Sequence, residues 1–234
     1  MAEVPPSTAT GPIAPTNDKR ERILDAAVQV FAQRGFFQAR VTDIAREAGV
    51  ADGTIYLYFK NKDDLLISLF EDRMEGIIAA FRLELDPLDG APARLHRFIE
   101  MHLALVESKP QLAEVLTVEL RQSSKFMREY KNPRFAEYLG ILADILEEGR
   151  TAGVFRADLE PRILCRIIFG ALDEVSLVWS SSRREKFVLA EVTQEIWNLC
   201  ARGLLSAPDS APNRHPDPLG PGATGPERKP RVGV

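Results

Sequence analysis

Cysteine is nearly absent: the 234 residues hold two, Cys165 and Cys200, and both fall inside helical apolar patterns. Two such isolated thiols cannot build a disulfide framework or a metal site, so they are read as small buried hydrophobes. Long apolar runs are also missing. No stretch approaches the ~20 residues needed to cross a bilayer, and Met1 to Thr16 has no basic start followed by an apolar core, so no secretory signal is read there. These absences predict a soluble, cytoplasmic chain that does not engage a membrane. There is no phosphate loop and no nucleophile elbow. His96 and His102 stand six apart, wrong for a shared helix face, and have no cysteine partners. Gly220 to Gly225 formally matches Gly-x-Gly-x-x-Gly, but it lies in a Pro-rich stretch with no strand before it. No catalytic residue, metal ligand or cofactor site is predicted, and the enzyme class finds no constellation to support it.

Net charge is −4, a balance that does not suggest a nucleic-acid binder until it is divided along the chain. Asp18 to Lys62 carries eight Lys or Arg against six Asp or Glu, whereas Asp63 to Ser206 is net −6. A mildly basic small unit on an acidic body fits a DNA reader whose other part faces something else.

Proline marks the layout. Of sixteen, four precede Asn17 and seven stand at or beyond Pro208. Both ends are rich in Pro, Gly and Ala and cannot bury enough surface to offset ordering entropy, which predicts disordered tails at 1–16 and 207–234. Between them the pattern is helical throughout, with no sustained period of two. Asp18 with Glu21 suggests a capping box for a first helix that Gly35 closes. Further helices are expected over about 42–48, 52–59, 61–85 with Asn61 as cap, 91–107, 110–130 with a break near Ser123, 133–152, 161–181 and 186–205. The fold class is therefore all-α.

The informative segment runs from Arg40 to Lys62. Ile44, Ala45 and Ala48 form the apolar face of a short helix, and Gly49 supplies the left-handed residue of a tight turn. Val50 and Ile55 can pack back on that helix, and Phe59 can reach the long helix behind. This is helix-turn-helix chemistry, in which the second helix is held out for a major groove. Thr42 and Asp52 are N-cap candidates, at helix starts whose free N–H groups suit phosphate. Thr54, Tyr56 and Tyr58 offer hydroxyls, and Lys60 and Lys62 supply charge.

These residues resemble the TetR family. Its signature of Thr, Ile-Ala, Ala-Gly-Val and Gly-Thr-Ile-Tyr-x-Tyr-Phe-x-x-Lys is present in register. The resemblance implies a three-helix DNA-binding domain over 17–62, with Gly53, Thr54 and Tyr56 in the groove and Thr42, Tyr58 and Lys62 on the backbone. It implies a ligand-binding and dimerisation domain over 63–206.

In that second part, Pro161 to Trp179 carries two apolar stripes. Leu164, Ile168, Leu172, Val175 and Trp179 lie beside Ile163, Ile167, Ala171 and Val178, so the helix must be covered twice. With the helix holding Phe187, Leu189, Val192, Ile196, Trp197, Leu199 and Leu204, it could form a four-helix dimer interface or a buried monomer core. Arg121, Asp173 and Glu174 are charges within apolar patterns and call for a partner. An ion pair between Arg121 and one of the acids is one account, and a ligand contact is the other.

Val50 to Lys62, Leu66 to Phe70, Glu119 to Ser123 and Ile168 to Glu174 resemble the FadR branch of the family. That likeness implies a homodimeric repressor of fatty-acid degradation genes, bound to a palindromic double-stranded operator and released by long-chain acyl-CoA. It implies an acyl tunnel among Leu112, Leu116, Phe126, Leu139, Leu142, Phe169, Leu172 and Trp179. Arg121, Lys125, Arg128 and Lys131 would face the CoA. The rival within the family is a repressor of an efflux pump or another operon that answers to a hydrophobic drug-like ligand.

Overall fold

The computed structural model describes residues 15–181 and 188–206. The Pro-rich tails, the Gly220–Gly225 run and Phe187 lie outside the described residues. Within them stand ten α-helices: α1 Pro15–Gln38, α2 Val41–Ala48, α3 Asp52–Tyr58, α4 Lys62–Leu85, α5 Ala91–Ser108, α6 Pro110–Thr117, α7 Ser124–Arg128, α8 Pro133–Thr151, α9 Pro161–Ser181 and α10 Leu189–Leu204. A 3-10 turn, Glu119–Gln122, links α6 to α7. Only one isolated β-bridge, Phe155 to Leu205, occurs among them.

Two helix starts differ from the sequence expectation. α1 begins before Asp18, which therefore sits in the first turn, where its carboxylate still complements the helix dipole. Glu21 does not close a capping box; it accepts from Arg73 of α4 at 2.6 Å. Gly35 does not end α1 but kinks it, at φ 74 and ψ 155, and a last short turn follows to Gln38. Thr42 and Asp52 are likewise inside their helices, whose caps are Arg40 and Ala51. In α2 the capping acceptor is Asp43, which takes the Arg40 N–H at 3.4 Å. Asn61 does cap α4, accepting from the Asp64 N–H at 2.9 Å.

The break expected near Ser123 is real. Its hydroxyl accepts the Phe126 N–H at 3.1 Å and so starts α7. α8 is capped by Asn132, a non-glycine residue at φ 50 whose side chain accepts from Phe135 N–H. α8 stops where Gly153 turns left-handed at φ 72 and Phe155 folds back over Gly149. A Cβ on Gly149 would lie 2.1 Å from the Phe155 ring, so only glycine allows this approach.

One core runs through the chain. Ile23, Leu24, Ala27 and Phe31 of α1 are fully buried, as are Leu65, Leu66 and Leu69 of α4 and Leu95, Phe98 and Ile99 of α5. Each large side chain so buried contributes about 1.5–3 kcal/mol. α9 separates its two stripes as the pattern suggested. Ile168 and Leu172 are buried, whereas Ile163 and Ile167 are each 61% exposed.

Candidate DNA-reading helix and ligand cavity

α2 is pinned from three sides. Gly49 adopts φ 64, and Val50 N–H closes on Ala45 O at 3.0 Å, which ends the helix in a tight left-handed turn. Arg22 of α1 donates to Ala48 O at 2.5 Å. Asp43, almost buried, is held by Arg46 at 2.6 Å and Arg34 at 3.4 Å. The Arg46 hydrogen bond keeps its carboxyl below the usual range. On this base α3 buries Ile55 and turns its other faces outward, with Tyr56 58% and Leu57 81% exposed. Thr42, Asp52, Gly53 and Lys60 are also exposed, and Thr54 and Tyr58 half-buried. A Cβ on Gly53 would meet nothing within 4 Å, so the protein itself gives no steric reason for glycine there.

Lys62 is placed differently from its companions. Its ammonium donates to the carbonyls of Phe36 at 2.6 Å, Ala39 at 3.1 Å and Phe37 at 3.2 Å. It also sits 4.6 Å over the Phe36 ring. Burial lowers its pKa. Lys62 thus caps the end of α1, satisfying carbonyls that the helix leaves without partners.

Behind the reader lies a cavity of about 280 Å³ with a mostly apolar wall. Of the residues expected to line it, Leu112, Leu116, Arg121, Phe126 and Phe169 do. Leu139, Leu142 and Leu172 do not; they are buried in the core instead, and α8 and α9 present Phe135, Tyr138 and Phe169 to the cavity. Trp179 is half-buried and outside the wall. Lys125, Arg128 and Lys131 are also outside it, but Lys125 and Arg128 flank Phe126 and Met127, Lys131 adjoins Asn132, and those three neighbours line it. None of those three cations forms a salt bridge among the described residues.

Arg121 and Asp173 face each other across the wall at 2.6 Å. The acidic partner is Asp173; Glu174 points to solvent. Deeper in, Ser176 donates to Leu172 O at 2.7 Å, which leaves its oxygen to accept from His102 Nε2–H at 3.2 Å. Nδ1 then accepts the Tyr138 hydroxyl at 2.8 Å. Burial pushes His102 down to about 4, so this polar chain is uncharged at neutral pH.

A family model described as "Bacterial regulatory proteins, tetR family" matches residues 23–69, and one described as "YsiA-like protein, C-terminal region" matches 70–203. The fatty acid metabolism regulator protein of Bacillus subtilis (strain 168) is 39% identical over 186 residues, 80% of this chain and 95% of that protein. The chain belongs to the TetR family.

Two solved structures share its fold. FadR from Bacillus subtilis in complex with stearoyl-CoA superposes with a TM-score of 0.73 at 39% identity, over 78% of this chain and 98% of that one. FadR from Bacillus halodurans gives 0.74 at 38% identity, over 84% and 98%. As a TetR-family regulator, the chain carries its DNA-binding helix-turn-helix in α2 and α3. Sequence reasoning did not find the cavity residues of α4 and α5, among them Phe70, Met74 and His102. Nothing in their periodicity separates a wall from an ordinary core.

Proposed function

We propose that this regulator binds a palindromic operator as a homodimer, represses fatty-acid degradation genes and lets go when long-chain acyl-CoA enters the cavity. The observation that carries the effector assignment is the apolar cavity with Arg121 on its wall, in a chain similar to a FadR that holds stearoyl-CoA. At about 280 Å³ the cavity is near the small end for ligand pockets, so a long chain enters by displacing side chains. Arg121 meets the anionic part by exchanging Asp173 for it, and Lys125, Arg128 and Lys131 supply further charge beside the opening. The whole acts in the cytoplasm, by binding and without catalysis or a cofactor.

In this proposal the reader spans 17–62 and the sensor 63–206. Tyr56, Gly53 and Thr54 approach the groove, and Thr42, Tyr58 and Lys60 the phosphates. Asp52, at the first position of α3, would accept from a cytosine amine. Dimerisation is supported by Ile163, Ile167 and Val178 of α9 and Leu199 of α10, large apolar side chains that the chain leaves 39–75% exposed. Two-fold pairing would set two readers about 34–36 Å apart, one turn of DNA.

Five aromatic rings in the wall (Phe70, Phe126, Phe135, Tyr138 and Phe169) favour one rival effector, a flat hydrophobic drug-like molecule. A gel shift on an operator selected from random DNA separates the two. Palmitoyl-CoA should release the protein while CoA alone does not. Retention of the operator at saturating palmitoyl-CoA refutes the acyl-CoA assignment.

A further inference from the structure

Beside α4, a second link joins the cavity to the DNA reader: the short segment Glu119 to Ser123, whose residues face different neighbours. Leu120 and Arg121 are cavity wall, and Arg121 is tied to Asp173 of α9. Glu119, only 5% exposed, is turned the other way. Its Oε2 accepts the Phe36 N–H at 2.5 Å. Phe36 is the first residue after the Gly35 kink, where the helical ladder restarts with Ala39 N–H on Gly35 O at 3.1 Å. Its N–H therefore has no acceptor in its own helix, and a carboxylate from across the fold caps that last turn of α1. Ser123, 1% exposed, donates to Asp63 in the first turn of α4 at 2.7 Å.

One segment thus touches the cavity on one side and, on the other, both chain ends of the reader: the close of α1 and the opening of α4. Those two ends are themselves joined through Lys62 on the Phe36 carbonyl. The segment is also short and internally bonded, with Arg121 N–H on Val118 O at 3.2 Å and Ser123 N–H on Leu120 O at 3.3 Å. It moves as a unit more readily than it stretches.

We propose that Glu119 and Ser123 are positioning residues that transmit occupancy of the cavity to the DNA-reading helices. A ligand that displaces Leu120, or draws Arg121 off Asp173, shifts the turn. Glu119 then leaves the Phe36 N–H, the last turn of α1 loosens, and α2, which starts at Val41, loses its fixed angle. The inference rests on the proposed effector site, and it makes the end of α1 an output beside the long helix α4.

The test uses the full-length protein and three variants: Glu119→Met, which keeps length but has no acceptor, Glu119→Gln, which keeps an acceptor, and Ser123→Ala. Palmitoyl-CoA affinity is measured by fluorescence titration, and operator affinity with and without saturating palmitoyl-CoA. In the wild type the effector should weaken operator binding about tenfold or more. Glu119→Met and Ser123→Ala should bind palmitoyl-CoA within about threefold of wild type while that ratio falls toward one, and Glu119→Gln should restore most of it. A full ratio in Glu119→Met, or a ligand affinity that falls in step with melting temperature, overturns the proposal. Should Glu119→Met not fold, hydrogen exchange at the wild-type Phe36 amide decides. Faster exchange with palmitoyl-CoA supports the coupling and unchanged exchange refutes it. If palmitoyl-CoA does not release the wild type at all, the effector assignment fails. The coupling is then read from the same amide in Leu116→Trp, where the side chain itself fills the cavity; unchanged exchange there refutes it too.

Discussion

Replacing Lys62 by Met separates two roles that one lysine in a helix-turn-helix can have. In the structure its ammonium holds three carbonyls at the end of α1, two of them in partly buried surroundings and the third exposed. A hydrogen bond from a charged donor contributes about 1.5–3 kcal/mol when well buried and less when wet. Counting the two partly buried bonds at the lower end gives a loss of about 2–4 kcal/mol. For a chain of this size each kcal/mol moves the melting temperature about 2–4 °C, so Lys62→Met should melt about 4–16 °C lower. The assay pairs thermal unfolding with operator binding across a series of salt concentrations. A phosphate contact contributes about 0.9 to the slope of log affinity against log salt. Lys62→Met should lose stability and affinity but keep its slope. Lys60→Met, from an exposed position, should lose about 1.8 of slope in the proposed dimer, one contact from each protomer, and no melting temperature. A slope lowered by about 1.8 in Lys62→Met, with an unchanged melting temperature, would refute the capping role.

Four further outcomes follow from particular contacts. Gly53→Ala meets no protein atom within 4 Å, so stability should hold or rise by up to about 1 kcal/mol while operator affinity falls; unaltered affinity would remove Gly53 from the DNA face. Gly149→Ala places a methyl 2.1 Å from Phe155 and should lose about 1–3 kcal/mol in chemical denaturation. His102 titrates near 4 in the folded chain and near 6.5 unfolded, so the unfolded state takes up the proton first as pH falls. Stability is complete above about 6.5 and is lost between about 6.5 and 4 by up to about 3 kcal/mol; His102→Gln should flatten that part of the pH profile in urea titrations. Asp173→Asn removes the partner that the proposed effector would displace from Arg121. Since the pair is partly exposed, palmitoyl-CoA affinity should rise by about two- to fivefold in fluorescence titration, and a fall would argue against exchange at Arg121.

The reader was legible because its information is contiguous. Gly49, Ile44, Ala45 and Ile55 lie within one short stretch, and each is constrained by neighbours three to six residues away. What escaped was most of the contacts that reach across the fold. Lys62 shows its tie to Phe36 in no local pattern, and Glu119 looks like any surface acid until α1 is packed against it. The cavity was half legible for a related reason. α8 and α9 are apolar over adjoining faces, and periodicity cannot say which face meets a void. Leu139 and Leu172 were as plausible as Tyr138 and Phe169, which lie about 100° and about 60° from them around the same helices. The ion pair was foreseeable because an unpaired charge in an apolar pattern demands a partner, although only packing shows that Asp173, not Glu174, answers.

That ion pair has a consequence for the cell. Asp173 already holds the group that the proposed effector needs, so it is a permanent resident competitor encoded in the same chain. Its concentration cannot be diluted and does not vary with metabolism. Its grip on Arg121 at 2.6 Å therefore acts as a set point, fixing how much effector must accumulate before the switch responds. Side chains at 121 and 173 could retune that threshold while leaving the reading helices and the cavity's shape as they are.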